Sequence, residues 1–439
     1  MHKIEDIYMR FWCIVMPVMG TVLIPSVQGT IPAYMMAFGS VIFVLFRLRG
    51  GEIPPAVVSY GKALGSVALL WLFLLAASQL SLILSDRHDF SGANLTDSND
   101  SRIAFRGTIF TQSLYFTACI LIALYFRYFF RESWMRYVFW GGYLLAGYGI
   151  YEWTYYLIFH HAGDFLLNRF YGEIQHPASW SQGVNFGGVS LLRIKSTLGE
   201  PTFFTAACLP FLFVALDHKK VVLSAMLIFC ALFSTSTACY ITFSTCLLLQ
   251  GFWAGKIKPI YLLLLFVVVG FLAGMAVYFP DNFQGTFGDK LSGDNFSGKI
   301  RMESSATYHA LINSFTIPNW LFGIGFGNVY LSIYDGLLVN TGLIGLGVFL
   351  YFLLKPAIFL PTKPGFEGLK MAMIILAILS YLSLSELFIP TTWMFLALAY
   401  RKLAEVKAVR RNSESRERSP GSVGANSVSD FSPLRRRIS

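Results

Sequence analysis

Apolar residues in this chain come in blocks rather than in stripes. Nearly uncharged blocks fall at 11–27, 29–46, 63–84, 108–126, 137–159, 201–216, 221–235, 237–254, 259–279, 337–354, 369–386 and 387–400. A helix of about 20 such residues crosses the ~30 Å hydrocarbon core of a bilayer. The pattern predicts an all-α polytopic membrane protein of about twelve transmembrane helices, the seventh, eighth and last being short enough to be half-spans or tilted pairs.

The polar connections alternate in character. Arg47, Arg49 and Lys62 follow the second block, Arg127, Arg131 and Arg136 the fourth, and His218, Lys219 and Lys220 the sixth. Lys256 and Lys258 follow the eighth, Lys355, Lys363 and Lys370 the tenth, and Arg401 and Lys402 the twelfth. Basic loops stay on the cytoplasmic side, so both termini are expected there. Of the other exits two are almost uncharged, the one at 85–107 sets Asp86, Asp89, Asp97 and Asp100 against three arginines, and two are long: 160–200 and 280–336. Long loops containing aromatics and scattered apolar residues are expected to fold as caps over the membrane. The first apolar block lacks a small-residue cleavage site behind it and reads as a retained helix.

Composition fits this picture. The chain is 55% hydrophobic and 13% charged, whereas soluble domains carry roughly 25% charged residues. The net charge of +10 sits in short loops and the tail, which accounts for it without nucleic acid. All six cysteines lie in apolar segments, against a disulfide framework or a loop zinc site. The division expected is a membrane domain over 1–402 and a Ser- and Arg-rich tail over 403–439, too polar to bury a core and therefore disordered in the cytoplasm.

Candidate chemistry gathers in the two long loops. Arg193 and Lys195 stand on the outer side, against the positive-inside bias, just before Glu200-Pro201 opens a new span. Their plain alternative is a helix cap plus an arginine reaching for headgroups. In the second loop Lys299 and Arg301 lead a helix-like segment. Tyr308 lies two turns beyond Arg301, on the same face if that segment is helical, and His309 follows. A lone His in such a stretch commonly serves packing. Gly323, Gly325 and Gly327 form a turn whose backbone N–H groups suit an anion, a weak signal by itself. Tyr334 and Asp335 come just before the next apolar block. Two arginines on separate outer loops suit a pyrophosphate, because a guanidinium offers a planar fork and keeps its charge. Without a D-x-D, H-E-x-x-H or P-loop in credible context, neither a metal nor a nucleotide cofactor is expected.

In order and spacing, Arg193…Leu198-Gly199-Glu200-Pro201, Arg301…Leu321-Phe322-Gly323-Ile324-Gly325-Phe326-Gly327 and Asp335…Gly342-Leu343-Ile344-Gly345 resemble the O-antigen polymerase and O-antigen ligase superfamily over about 185–355. The resemblance implies an inverting, metal-independent glycosyltransferase of the C type at the outer face of the bacterial inner membrane. Its substrate would be undecaprenyl-pyrophosphate-linked oligosaccharide, its medium membrane lipid, and its further partners a chain-length regulator and a flippase. Ligases show a His, often His-Asn, shortly before the last Gly-Leu-x-Gly helix; here the position reads Tyr334-Asp335, which favours a polymerase.

On that reading Arg193 and Arg301 hold the departing pyrophosphate, Asp335 or Glu200 polarises the attacking hydroxyl, and Lys195, Lys299, Tyr308, His309, Gly325 and Tyr334 contribute to substrate binding. Tyr171, Trp180 and Trp320 are candidates for stacking on sugar rings, or equally for an interfacial belt. A ligase is the near alternative and a transporter the distant one. Glu152, inside the fifth block, is the notable ionisable residue in a span.

Overall fold

A computed structural model describes residues 2–25, 27–49, 52–85, 90, 94–170, 183–186, 189–254, 258–284, 288, 292 and 296–417. The helices are α1 (His2–Val15), α2 (Pro32–Leu48), α3 (Pro55–Leu84), α4 (Gly107–Phe129), α5 (Met135–Phe159), α6 (Pro201–Asp217), α7 (Val221–Phe233), α8 (Thr237–Ala254) and α9 (Pro259–Tyr278). They continue with α10 (Pro280–Phe283), α11 (Phe296–Asn313), α12 (Ile317–Phe322), α13 (Ile333–Phe359), α14 (Glu367–Leu382) and α15 (Pro390–Glu417). Proline opens α2, α3, α6 and α9, where its missing N–H costs no hydrogen bond. A small antiparallel hairpin, β1 (Gly183–Phe186) and β2 (Val189–Leu192), pairs Gly183 with Leu192 and Phe186 with Val189.

Among the described residues, four helices are long and apolar enough to cross a membrane: α3, α4, α9 and α13. Shorter apolar helices occupy 32–48, 201–217, 221–233 and 237–252. Burial sorts them into layers. In α6 nearly every residue from Phe203 to Ala215 is buried, and the helix packs against α14, α7, α5 and α8. A helix apolar on all sides belongs in a core. By contrast α3 and α9 expose Leu69, Leu72, Leu263 and Phe266, a surface suited to lipid rather than water.

Two boundaries depart from the apolar blocks. The block at 11–27 is not one helix: α1 ends at Val15, and the described part of 16–31 is irregular, interrupted by Pro17, Gly20, Pro25 and Gly29. At the other end α15 runs on to Glu417, past the point at which disorder was expected. Leu403 is buried there, and Glu405 pairs with Arg401 and Lys402 one turn away. The tail beyond 417 and the loop residues Asp86, Asp89, Tyr171 and Trp180 lie outside the described residues.

Candidate functional site

The segment from Arg193 to Glu200 is irregular backbone with one 3-10 turn at Ser196–Leu198, threaded into the core with Ile194 through Leu198 buried. Non-helical backbone inside an apolar environment needs partners for each polar group. The Ile194 N–H donates to the Phe233 carbonyl (3.1 Å), and the Ser196 N–H donates to Glu152 Oε2 (3.1 Å). Ser196 Oγ donates to the Leu145 carbonyl (2.6 Å) and Thr197 Oγ1 to that of Pro17 (2.8 Å). The Thr197 carbonyl in turn accepts the N–H groups of Met19 and Gly20 (3.1 and 2.7 Å). The irregular stretch after α1 is thus the bed in which this segment lies.

Arg193 is half-buried at the end of α7. Its Nε donates to the Ser234 carbonyl (3.2 Å) and its Nη2 to that of Thr235 (3.2 Å). The Ser234 carbonyl stands at the C-cap of α7, the negative end of that helix dipole, so the guanidinium is both oriented and electrostatically matched. Lys195 is fully buried. Its ammonium lies 2.9 Å from Asp164 Oδ2 and 3.6 Å from Glu152 Oε1. It ties the loop after α5 to the buried 193–200 segment, and Glu152 finds its partner there. Glu200 is the N-cap residue of α6 by backbone, with φ −141° and ψ 138°, but its carboxylate makes no capping bond to that helix. Pro201 takes the first helical position, as expected of it.

The second loop builds a wall from α11 and the start of α13. Asp335, half-buried in the first turn of α13, accepts a hydrogen bond from Ser332 Oγ (2.7 Å). Tyr308 of α11 packs beside Leu82, Leu311, Ile324 and Val329; burial, then the Asp335 carboxylate nearby, pushes its phenol up. These two residues are brought together. Lys299 and His309 are exposed, the His309 ring standing edge-on to Tyr308 at 5.3 Å between centroids. Arg301 lies on α11 two turns before Tyr308, and its side chain is outside the described residues. Tyr334 turns the other way and donates to the Ala377 carbonyl of α14 (2.9 Å).

The glycine turn has a different task from cradling an anion. Helix α13 breaks at Gly342 (φ 67°, ψ −172°), which leaves carbonyls of the preceding turn without their helical donors. The Ile324 N–H donates to the Val339 carbonyl (2.9 Å) and the Gly325 N–H to that of Asn340 (3.2 Å), while the Gly323 N–H closes α12 on Asn319 (2.7 Å). Asn340 then pairs with the Val329 backbone through both side-chain atoms (3.0 and 2.9 Å). A Cβ on Gly323 would strike the backbone of Asn340 and Thr341, and one on Gly342 that of Leu321. The turn is the plug of a broken helix.

A fourth group joins the halves, and sequence reasoning passed over it. Arg169, 4% exposed, and Asn168 both donate their N–H groups to the Gly20 carbonyl (3.0 Å each), on the segment that also binds Thr197. The Arg169 guanidinium acts electrostatically on Glu386, Tyr34 and Tyr115. Glu386 sits in the break between α14 and α15, where Oε1 accepts the Phe388 N–H (3.1 Å). That break also reaches the second loop. The Leu384 carbonyl accepts the Ile333 N–H (2.7 Å), Ser385 Oγ meets the Tyr330 hydroxyl (2.7 Å), and Tyr34 donates to the Phe388 carbonyl. The available signal was an ionisable residue inside an apolar run, Glu386 within 369–386.

Chemically, the assembly offers fixed guanidinium charge at Arg193 and Arg169 and carboxylates at Asp335, Glu200 and Glu386. Among the described residues no three His, Cys, Asp or Glu side chains converge as metal ligands. Comparison with protein-family models, with curated proteins and with solved structures found no match for this chain.

Proposed function

We propose that the chain is a polysaccharide polymerase of the bacterial inner membrane, joining undecaprenyl-pyrophosphate-linked oligosaccharide repeats at the outer face. The acceptor hydroxyl attacks the anomeric carbon of the donor with inversion. The glycosidic C–O bond forms as the bond to lipid pyrophosphate breaks, and the hydroxyl proton passes to a carboxylate. Arg193 and Arg301 neutralise the departing pyrophosphate, as preorganised donors do where charge develops. Asp335, beside Tyr308, is the favoured acceptor of the proton, and Glu200 the other candidate. Lys195, held between Glu152 and Asp164, positions the Arg193 segment rather than touching substrate. In the membrane this reading takes twelve crossings, α1 with residues 16–31 making the first, and both termini in the cytoplasm.

One observation carries the proposal. The buried segment that bears Arg193 and the start of α13 that bears Asp335 are bonded to a common frame: the Thr197 carbonyl to Met19 and Gly20, Tyr34 to the Phe388 carbonyl, and Leu384 to Ile333. Broken helices are also a feature of transporters, where they line a substrate path near the midplane. The break at Gly342 favours that second reading by its position, but it is packed backbone against backbone by Leu321 and the glycine turn, unlike a moving gate. Transfer of finished glycan by a ligase remains the near chemical alternative. Cells lacking the protein separate the three. A polymerase mutant accumulates single lipid-linked repeats at the outer face, a ligase mutant accumulates lipid-linked polymer, and a transporter mutant retains repeats at the inner face. Either of the last two patterns would overturn the proposal.

A further inference from the structure

We infer that the tip of the second long loop, α12 with the glycine turn behind it, enters the bilayer, and that its face bearing Ile317, Trp320 and Leu321 is seated against acyl chains. Three helices fix how deep the tip lies. Asn319 of α12 donates to the Ser81 carbonyl and Oγ (3.2 and 2.9 Å), one turn from the loop-side end of α3. Phe322 then stands edge-on to Phe73 at 5.9 Å between centroids, and Phe326 to Trp71 at 4.1 Å. Trp71 is about 20 Å from Leu84 along α3 at the helical rise per residue. Phe326 also meets Phe116 of α4 (6.2 Å), about 14 Å beyond Gly107 by the same rise. The Gly325 N–H reaches the Asn340 carbonyl, about 10 Å beyond the start of α13. All three helices are long and apolar enough to cross a membrane, and α3 exposes Leu80, Ile83 and Leu84 right up to its loop-side end. Chain that descends this far beside them lies inside the ~30 Å hydrocarbon core.

The polarity of the tip identifies its solvent. In water a surface helix turns its polar residues out and its apolar residues in. Helix α12 does the reverse: Asn319, its one amide, is 1% exposed, whereas Ile317 is 77% exposed and Trp320 and Leu321 lie open beside it. Alongside, α3 repeats the pattern, burying Ser78, Gln79 and Ser81 and exposing Phe73, Leu80 and Ile83. The backbone meets a second requirement of hydrocarbon, that non-helical polar groups find partners within the protein. Besides the bonds of the turn to Val339 and Asn340, Thr316 and Asn319 close a capping box at the start of α12. The Asn328 N–H donates to the Gly325 carbonyl (3.3 Å), and its Nδ2 to that of Ile324 (2.9 Å). The apolar face of α12 is continuous at Phe73 with the exposed side of α3, so the same lipid covers both, and Trp320 is an interfacial anchor rather than a platform for sugar. The inference rests on α3, α4 and α13 crossing the membrane and not on the transfer reaction.

Spin labels on the full-length protein in phosphatidylcholine liposomes test this. The six native cysteines are buried and should take up no label. Ile317→Cys and Leu321→Cys are labelled singly, with Leu69→Cys on exposed α3 as the lipid reference and Glu303→Cys on exposed α11 as the water reference. Collisions with dissolved oxygen should exceed those with a water-soluble nickel chelate at 317 and 321, as at 69, and the order should reverse at 303. Nickel in excess at 317 and 321 while 69 reads lipid would overturn the inference and leave the membrane crossings intact. Nickel in excess at 69 as well would remove the crossings and the inference together. Labels at 317 and 321 closed to both reagents would mean that protein, not lipid, covers the face, which also overturns it. Unsubstituted protein supplies the second measurement. Phosphatidylcholine carrying a diazirine on its acyl chain should label 317–321 as it labels 69–73, and labels on 69–73 with none on 317–321 would refute the assignment.

Discussion

At the scale of single residues, the structure separates a cation paired with carboxylates from one bonded to backbone carbonyls. Lys195 belongs to the first kind, since it is fully buried and balances Glu152 and Asp164. Removing one partner of such a set leaves an uncompensated buried charge, at a cost of about 3–5 kcal/mol. Lys195→Met should therefore lower the yield of folded protein and its Tm in detergent, and Lys195→Met with Glu152→Gln should recover part of the loss. Arg193 is predicted to behave differently. Lysine at that position keeps a charge near the Ser234 and Thr235 carbonyls but loses the planar fork. Arg193→Lys should insert and melt near the wild type while polymer formation falls at least tenfold. Equal loss of stability and activity in both variants would show that Arg193, too, is only structural. Sequence alone placed both residues in one set, because position in the chain says where a cation sits and nothing about its partner.

At the scale of elements, the helices were legible and their interruptions were not. The block at 201–216, with its leading proline, became α6 (Pro201–Asp217), and that at 237–254 became α8 on hydropathy alone. Hydropathy is indifferent to backbone conformation, so it joined α1 to the irregular 16–31 and ran straight through Gly342. The three glycines of the turn were legible as a turn, but their service to Val339 and Asn340 depends on a helix break elsewhere in the chain. Gly342 adopts a left-handed φ of 67°, and a Cβ there would meet the Leu321 backbone. Gly342→Ala should destabilise by about 1–3 kcal/mol or more, the usual cost of strain plus overpacking. Gly347→Ala, in the same helix with open space around its Cα, should leave stability unchanged or raise it by up to about 1 kcal/mol. Thermal melts of the two variants side by side check the contrast, and similar melting would remove the plug.

At the scale of the whole molecule, the decisive feature is a hydrogen-bonded frame from distant parts of the sequence, in which the Arg169 backbone bonds to Gly20, Tyr34 to Phe388, and the Glu386 carboxylate to the Phe388 N–H. Neither residue stands in a recognisable motif. Arg169 lies in a long loop and Glu386 at the end of an apolar run, and folding sets each on this frame, Arg169 by its N–H on the Gly20 carbonyl and Glu386 by its carboxylate on the Phe388 N–H. If the pair sets the relation of the two loops, Arg169→Gln and Glu386→Gln should each slow polymer formation. The double variant should be less impaired than the two losses added, because both remove one interaction. Additive losses would mean that the two residues act separately. The account as a whole rests on group transfer at the joined loops. Its most direct test is to reconstitute the purified protein in liposomes with a lipid-linked single repeat and to follow both products. Release of lipid pyrophosphate in step with a ladder of repeat multiples is the result predicted. Recovery of unjoined repeats from correctly folded protein, whether left in place or moved across the bilayer, would contradict it.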